Sequence, residues 1–334
     1  MPVSVPASTP VRLAVALLAA GVLAACGGDA DDAAPTSTST GSYPLTVENC
    51  GADVTFEQAP ERLVLLKSSA VPFLHDLGVL DRVEARAGAY PTDYYDEETQ
   101  AELDRIPLLT DEMDSSGHLQ ISKEVVIGQE PDLVLGQVDN LSRETLAAVD
   151  IPLLEEPALC GAGGEPSFDD VYDQLELYGS VFGREEQAQQ AISDVKDDLA
   201  DIEAEVGEGS GRTAAVLYPT VGGGTTYAYG TQSMAQPQLE AAGFENVFDD
   251  VDERVFEVTL EELLGRDPDV LVLLHSEGEP GPVEDAITRL PGADDLTAVR
   301  NGDVMTQLFN FTEPPSPLAV VGLQRIVERF GRGS

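Results

Sequence analysis

The sequence predicts an α/β protein of two Rossmann-like lobes with mainly parallel sheets, joined by a long rigid helix. The first observation is an internal repeat, because residues 121–135 and 258–272 align without a gap. Each copy begins with a hydroxyl residue suited to cap a helix, Ser122 or Thr259. Each then continues as a short amphipathic helix and breaks at an acid-Pro-Asp turn before an apolar strand. A repeat on this scale predicts two similar lobes.

Short apolar runs that alternate with helical patterns are the second observation. Such runs are typical of parallel strands whose sheet is covered on both faces. In the first lobe, 44–166, the predicted strands are 63–66, 83–85, 133–135 and 152–154. In the second lobe, 208–334, they are 213–218, 270–274 and 304–308. Residues 45–48 and 54–56 predict a small hairpin that precedes the first sheet.

The segment between the lobes, 167–207, is the third observation. Residues 168–206 contain no proline, and their apolar side chains recur at helical spacing. Ser167 and the two aspartates that follow suit a helix N-terminus. One helix of this length would run roughly 50 Å and would hold two lobes apart. The alternative is a helical hairpin broken at Gly183, since Gly179 and Gly183 can bend or divide the segment.

The charge balance excludes several classes of protein. The 334 residues carry 61 Asp and Glu against 18 Lys and Arg, a formal net charge of −43. A phosphate backbone would be repelled from nearly every face, which argues against a nucleic-acid partner. The same balance argues against a polybasic membrane-surface protein. An acidic, lysine-poor surface suits a protein outside the cytoplasm in variable or high salt, where screening weakens the self-repulsion.

The first residues predict an export signal. An apolar run over 13–23 follows Arg12, is too short to span a bilayer, and leads into Leu-Ala-Ala-Cys ending at Cys26. This string resembles a bacterial lipobox, in which the chain is cut before the cysteine and that cysteine is lipidated. It predicts a signal peptide over 1–25, a flexible tether over 26–43, and a lipid anchor on the outer face of the cell membrane. The alternative is an ordinary secretory signal.

Two cysteines remain after Cys26. An even pair in an exported protein favours a disulfide between Cys50 and Cys160. The alternative is two buried free thiols. A cysteine-based metal site is disfavoured, because the chain has no second pair at ligand spacing.

Polar and aromatic residues follow the predicted strands. Ligands of open parallel sheets bind at the carboxyl ends of the strands. The candidate binding residues there are Lys67, Ser68, Tyr90, Tyr94, Tyr95, Gln137, Tyr218, Tyr227, Tyr229, His275, Phe309 and Phe311, with Asn310 between the last two. Six of the nine tyrosines are in this set, and tyrosine suits a large amphipathic ligand. The alternative is that about half of them are ordinary loop aromatics.

These features together resemble a class III solute-binding protein of an ABC importer, the group that captures iron–siderophore complexes and cobalamin. The likeness runs from about residue 44 to 331. It is carried by the lipobox and by the segments 47–51 (Val-Glu-Asn-Cys-Gly), 60–66 (Pro-Glu-Arg-Leu-Val-Leu-Leu), 130–134 (Glu-Pro-Asp-Leu-Val), 242–246 (Ala-Gly-Phe-Glu-Asn) and 267–270 (Asp-Pro-Asp-Val). The resemblance implies a monomer that grips a ligand between its lobes with small closure. It further implies delivery to a permease, no enzymatic activity and no intrinsic cofactor. Many relatives carry a docking glutamate where this chain has Pro72, which puts that permease contact in doubt.

The charges at the predicted strand ends limit the classes of ligand that the site could bind. Lys67 is the one obvious cation there, whereas ferric catecholates are trianionic. We therefore expect a neutral or cationic ferric chelate such as a hydroxamate, with cobalamin, haem or another bulky cofactor as alternatives. A receptor for bare zinc or manganese is disfavoured because only His75, His118 and His275 are present. An adhesive lipoprotein is the remaining alternative.

Overall fold

The computed structural model describes residues 42–113, 118–160 and 164–331, and two β-sheets flanked by helices form their body. The predicted α/β class is therefore confirmed. The signal peptide over 1–25, Cys26 and most of the tether over 26–43 lie outside the described residues. Within the described part, no helix combines the length and the apolar character needed to cross a membrane.

The first lobe contains an antiparallel hairpin and a parallel sheet. The hairpin pairs β1 (Leu45–Asn49) with β2 (Ala52–Phe56). The sheet has the order β4-β3-β5-β6, and all of its neighbours run parallel. The remaining elements are, in chain order, β3 (Leu63–Leu65), α1 (Ala70–Asp76), β4 (Val83–Arg86), α2 (Glu97–Leu103), α3 (Lys123–Ile127), β5 (Leu133–Leu135), α4 (Arg143–Ala147) and β6 (Leu153–Leu154).

The connection between the lobes is a helical hairpin, so the single helix predicted over 168–206 is wrong and the alternative is correct. The two helices are α5 (Asp169–Phe182) and α6 (Glu185–Val206). Gly183 ends α5 in the left-handed region with φ 62°, a conformation that glycine adopts without a steric penalty. The 22 residues of α6 span about 33 Å at 1.5 Å per residue.

The two helices of the hairpin run antiparallel and touch closely. Lys196 Nζ lies 4.5 Å from the ring centroid of Tyr172, across the hairpin. Gly179 does not break α5, which continues through it to Phe182. A Cβ at Gly179 would lie 2.6 Å from the Cβ of Ala188. Gly179 therefore lets α5 and α6 approach each other at this point.

The second lobe contains a mixed sheet. Its order is β10-β8-β7-β11-β12, with β9 also paired to β7, and β8 runs antiparallel to both of its neighbours, β7 and β10. The boundaries at 166 and 207 stay a prediction. The elements of the second lobe are β7 (Arg212–Pro219), β8 (Thr226–Tyr229), α7 (Ala235–Ala241), β9 (Phe244–Asn246), β10 (Val255–Val258), α8 (Leu260–Arg266), β11 (Val270–His275), α9 (Pro280–Thr288), α10 (Thr297–Asn301), β12 (Val304–Leu308) and α11 (Pro317–Phe330).

The internal repeat folds in the same way twice. Ser122 accepts a hydrogen bond from the first turn of α3, and Thr259 does the same for α8. The residues at equivalent positions after these helices, Glu130 and Asp267, both have positive φ, 52° and 43°. Each copy then enters a strand, β5 or β11, that has a parallel partner on both sides.

The second acid of each repeat fastens the start of the neighbouring strand. The carboxylate of Asp132 accepts from the backbone N–H of Arg62 at 2.8 Å, just before β3. The carboxylate of Asp269 accepts from the backbone N–H of Thr213 at 2.9 Å, within β7. The acid-Pro-Asp turn thus sets the register between adjacent strands in both sheets.

One continuous apolar core includes side chains from both lobes and from the hairpin. Phe73 and Leu65 of the first lobe, Val272 and Leu323 of the second lobe and Tyr178 of α5 all belong to it. The rings of Phe73 and Tyr178 meet edge to face at 5.7 Å. The hairpin is therefore the common packing surface of the two lobes.

A disulfide joins Cys50 to Cys160, as predicted. It links the β1–β2 hairpin to the segment that follows β6, across a sequence separation of 110 residues. Asn49 reinforces this junction, because its side chain donates to the carbonyl of Glu155 at 3.0 Å and accepts from the N–H of Glu155 at 2.8 Å.

We expect the double substitution Cys50→Ser with Cys160→Ser to lower the free energy of unfolding by roughly 2–4 kcal/mol, because the unfolded chain then gains a long open loop. Urea unfolding, followed by circular dichroism, measures this change. A reducing agent should destabilise the wild type by a similar amount and leave the double variant unchanged. Equal unfolding midpoints for the oxidised and reduced wild type would contradict the prediction.

Candidate functional site

The carboxyl ends of the strands of both sheets meet at a junction between the lobes. At its centre lies the turn Phe309–Phe311, which follows β12. The backbone N–H of Asn310 donates to the Tyr94 hydroxyl oxygen at 2.9 Å, and its side-chain amide donates to Ser68 Oγ at 3.0 Å. The second lobe therefore contacts two predicted site residues of the first lobe through Asn310.

The tyrosines of the first lobe form a hydrogen-bonded group at the ends of β3 and β4. Tyr90 donates to the carbonyl of Leu65 at 3.3 Å, and Tyr95 donates to the carbonyl of Ser68 at 3.1 Å. Burial raises the pKa of Tyr90, Tyr94 and Tyr95, so their hydroxyls stay neutral. These side chains are held in place by hydrogen bonds within the protein.

The aromatic residues of the second lobe divide into two groups. Tyr218 packs edge to face on Phe309 at 6.1 Å, and Tyr227 lies opposite Tyr218 in the sheet with 37% of its surface exposed. Tyr229 and Phe311 are instead core residues, with exposed fractions of 4% and 0%. Tyr218, Tyr227 and Phe309 therefore offer surface to a ligand, whereas Tyr229 and Phe311 supply packing. This result agrees in part with the alternative that some of the aromatic candidates have no binding role.

Lys67 is the cation that follows β3. Burial lowers its pKa, and the carboxylates of Asp139 and Glu156 act in the opposite direction. Gly136, with φ 94°, makes room for this side chain, since a Cβ there would lie 2.5 Å from Lys67 Cγ. Gln137 is exposed, and the amide orientation that satisfies its hydrogen bonds turns its nitrogen toward the carboxylate of Glu155.

Glu156 is a buried acid beside Ser69 that the sequence analysis did not predict. Only 7% of it is exposed, and Ser69 Oγ donates to its carboxylate at 3.3 Å. Burial raises its pKa to about 7, although the Ser69 hydrogen bond and the Lys67 charge act to lower it. Its position shortly after β6 could have made it a candidate, but nothing in the sequence indicates that a glutamate there is buried.

A cavity of about 630 Å³ opens between the lobes beside this junction. Its walls include Arg86 and Tyr90 from the first lobe and His275, Gln307 and Arg325 from the second. Its volume lies within the range of small-molecule sites. It unites two predicted site residues, Tyr90 and His275, across the lobes. Two other cavities, of about 840 Å³ beside α6 and about 420 Å³ beside α5, contain none of the predicted binding residues. The cavity of about 420 Å³ also has walls from both lobes, with Glu156 on one side and Arg254 and Glu313 on the other.

The raised pKa of Glu156 predicts a pH-dependent stability. Because the folded-state value is about 7 and the ordinary value is 4.5, the stabilising neutral form is fully present below pH 4.5. Its contribution is lost as the pH rises through about 7. We expect the free energy of unfolding of Glu156→Gln to rise by roughly 2–3 kcal/mol relative to that of the wild type as the pH increases from 4.5 to about 7. Urea unfolding across this range measures the difference, with Glu245→Gln on an exposed strand position as control. A difference that does not change with pH would contradict the assignment.

The Tyr94–Asn310 hydrogen bond predicts a second stability change. Tyr94→Phe removes the acceptor of a buried N–H, so we expect a loss of about 1–3 kcal/mol. Tyr227→Phe, at an exposed ring, is the matched control and should change the stability by less than about 0.5 kcal/mol. Thermal unfolding of both variants tests this, and equal effects would show that the inter-lobe hydrogen bond contributes nothing.

Comparison with known proteins agrees with this architecture. The family model of periplasmic binding proteins matches residues 63–307. A crystal structure described as an ABC-type Fe³⁺-hydroxamate transport system from Saccharomonospora viridis DSM 43017 is 58% identical, with a TM-score of 0.82, over 87% of this chain and 100% of that chain. A cobalamin-binding protein of Halobacterium salinarum (strain ATCC 29341 / DSM 671 / R1) is 27% identical over 299 residues, which are 86% of this chain and 74% of the relative.

A third relative matches a smaller part of the chain. The uncharacterized ABC transporter substrate-binding lipoprotein YvrC of Bacillus subtilis (strain 168) is 29% identical over 194 residues, or 57% of this chain. The match spans 56% of the length of that relative. The family model alone covers well over half of the present sequence. This chain therefore belongs to the periplasmic binding protein family, the extracytoplasmic substrate-binding proteins of ABC importers.

Proposed function

We propose that this protein captures a ferric hydroxamate between its lobes and delivers it to an ABC permease. The observation that carries the proposal is the 58% identity to the Saccharomonospora viridis Fe³⁺-hydroxamate transport protein, which is matched over its whole length. The protein itself holds no resident cofactor in this proposal and performs no chemistry on its cargo. The predicted binding residues of both lobes supply the contacts, with the ferric chelate as ligand.

The charges around the inter-lobe cavity support a neutral or cationic chelate. Arg86 and Arg325 line it, but so do the exposed side chains of Asp93, Asp111, Glu277 and Glu279. A trianionic ferric catecholate would meet more acids than bases there, and its entry would also be opposed by the net charge of −43. The neutral core of a ferric trihydroxamate avoids this repulsion.

The aromatic groups support a bulky ligand with apolar surface. Tyr218, Tyr227 and Phe309 present rings from the second lobe at the strand ends. A tyrosine hydroxyl can donate a hydrogen bond without adding charge, which suits the oxygen-rich shell of a hydroxamate chelate. Lys67 adds one cation from the first lobe.

We further propose that the mature protein is a monomer anchored through lipid on Cys26 to the outer face of the cell membrane. The lipobox string and the tether over 26–43 support this placement. Pro72 lies in α1, where many relatives have a docking glutamate, so the permease contact of the first lobe falls to other acidic residues.

Cobalamin is the second candidate ligand. The Halobacterium salinarum relative, named as a cobalamin-binding protein, is 27% identical over 86% of this chain. Haem would also match the aromatic surfaces. Bare zinc or manganese is disfavoured, because over 42–113, 118–160 and 164–331 no group of three or more His, Cys, Asp and Glu side chains is arranged to hold a metal. Adhesion would leave the inter-lobe cavity without a role.

Titration of tyrosine fluorescence tests the proposal, because the chain has nine tyrosines and no tryptophan. The probes are ferrichrome as a neutral ferric trihydroxamate, ferric enterobactin as a trianionic catecholate, cyanocobalamin and haemin. We expect saturable binding of ferrichrome, at least about tenfold tighter than that of the other probes, which corresponds to about 1.4 kcal/mol. Calorimetry checks each affinity without optical interference. Tighter binding of cyanocobalamin, or no binding of ferrichrome, would overturn the proposal.

A further inference from the structure

The cavity of about 420 Å³ between the lobes is lined by a buried acid from each of them. Glu156 of the first lobe is 7% exposed, and Glu313 of the second lobe is 1% exposed. The walls also include the apolar side chains of Leu177 and Met234. An apolar lining with a few polar groups, at this volume, is typical of small-molecule sites.

Glu313 is satisfied by the protein itself and fixes the orientation of Arg254. Its Oε1 accepts from the backbone N–H of Met234 at 2.9 Å. Its Oε2 accepts from Arg254 Nε at 3.0 Å and from Arg254 Nη2 at 2.8 Å. The Nη1 group of Arg254 has no partner among the described residues, and 30% of the side chain is exposed. The guanidinium therefore keeps unused N–H groups at the wall of the cavity.

Glu156 has one oxygen in use and one open to the cavity. Its Oε2 accepts from Ser69 Oγ at 3.3 Å, whereas its Oε1 makes no hydrogen bond to a described residue. Oε1 is not among the unpartnered side-chain atoms that the fold closes off from solvent, so it keeps accessible surface. Glu156 lines the cavity of about 420 Å³ and neither of the other two cavities. A group in this cavity can therefore reach Oε1.

The groups around Glu156 leave it protonated below about pH 7. Burial raises its pKa to about 7, although the Ser69 hydrogen bond and the Lys67 charge act to lower it. Because Ser69 donates to Oε2, the proton of the neutral form lies on Oε1, which can donate it into the cavity. The titratable and charged groups that face this carboxyl are Lys67 after β3, Tyr178 of α5, and Arg254, Glu313, Glu48 and Asp170 of the cavity lining.

Both lobes thus present hydrogen-bond donors to the same cavity, and donors require a ligand with acceptor oxygens. We propose that this cavity binds oxygen atoms of the ferric hydroxamate, with the O–H of Glu156 and the unused N–H groups of Arg254 as donors. The inference rests on the proposed function and links it to a proton, because Glu156 donates only while it is protonated. Loss of that proton replaces a donor by a carboxylate that repels the ligand oxygens.

The pH dependence of binding tests the role of this proton. The probe is ferrichrome, a neutral ferric trihydroxamate, in calorimetry on the full chain. We expect an affinity about tenfold lower at pH 8 than at pH 6, because the complex keeps a proton that free Glu156 loses at about pH 7. Binding at pH 8 should also take up most of one proton, which titrations in two buffers of different ionisation enthalpy measure.

Substitutions of the two donors separate their contributions. Glu156→Gln keeps an N–H donor that does not titrate, so its affinity should equal that of the wild type at pH 6 within about threefold and should not change with pH. Glu156→Met removes the donor at similar volume and should lower the affinity at pH 6 about three- to tenfold. Arg254→Lys keeps a charge beside Glu313 but loses the planar fork, and should lower the affinity about three- to tenfold at both pH values.

Glu245→Gln, at an exposed position of β9 outside the cavity lining, is the matched control and should reproduce the wild-type affinity at pH 6 and at pH 8. Thermal unfolding of each variant checks that the full chain is folded under the conditions of the titration.

The outcomes separate this inference from the proposed function. If ferrichrome fails to bind the wild type at either pH, the proposed function falls and this inference falls with it. If ferrichrome binds and neither Glu156→Met nor Arg254→Lys lowers the affinity, the proposed function stands and this site is overturned. A wild-type affinity that stays constant or rises from pH 6 to pH 8 also overturns it, since Glu156 would then have no role as a donor.

Discussion

The close packing of α5 on α6 is the constraint on which the rest of the structure depends. The hairpin turns at Gly183, and its two helices approach most closely where Gly179 of α5 faces Ala188 of α6. Its apolar side chains then join one core with both sheets. Movement of one lobe against the other would have to disturb this shared core, because interiors packed at native density do not deform freely. The architecture therefore favours small adjustments of the cleft over a wide hinge opening.

The junction at Asn310 adds a polar element to this packing. Its backbone and side-chain amides donate to Tyr94 and Ser68, so the tip of the second lobe is held against the strand ends of the first. The surrounding tyrosine hydroxyls are neutral and partly committed to backbone carbonyls. A ligand thus meets aromatic surfaces that are already ordered, and binding requires little further loss of side-chain entropy.

The sequence predicted the repeated elements well because their physical signals are local. Capping hydroxyls, the acid-Pro-Asp turn and the continuous apolar runs each act within a few residues, and β5 and β12 match the predicted bounds. The strands β8, β9 and β10 were missed, since each has only three or four residues, too few to establish a period. The break at Gly183 was left open because helical periodicity continues through it.

The candidate site was less predictable because it depends on contacts between distant residues. The strand-end rule named Tyr90, Tyr218 and His275 as candidates, and their positions at the strand ends follow from topology. The same rule placed Tyr229 at the strand ends, although its side chain is buried in the core. Buried hydrogen bonds from Gln307 to Thr312 and from Thr312 to Gln238 join residues up to 74 positions apart. No sequence pattern reports such a network, because each member is an ordinary polar residue. Its role follows only from the hydrogen bonds that its neighbours in the structure already make.

Charge connects these local arrangements to the choice of cargo. With a net charge of −43, the protein repels anionic ligands, and salt at about 0.1 M screens this repulsion beyond about 10 Å. Inside the cavity the guanidinium groups are held over aromatic rings, which spreads their charge over a π surface instead of directing it at an incoming oxyanion. For the proposed ferric hydroxamate, shape, ring surface and neutral donors would then govern the affinity.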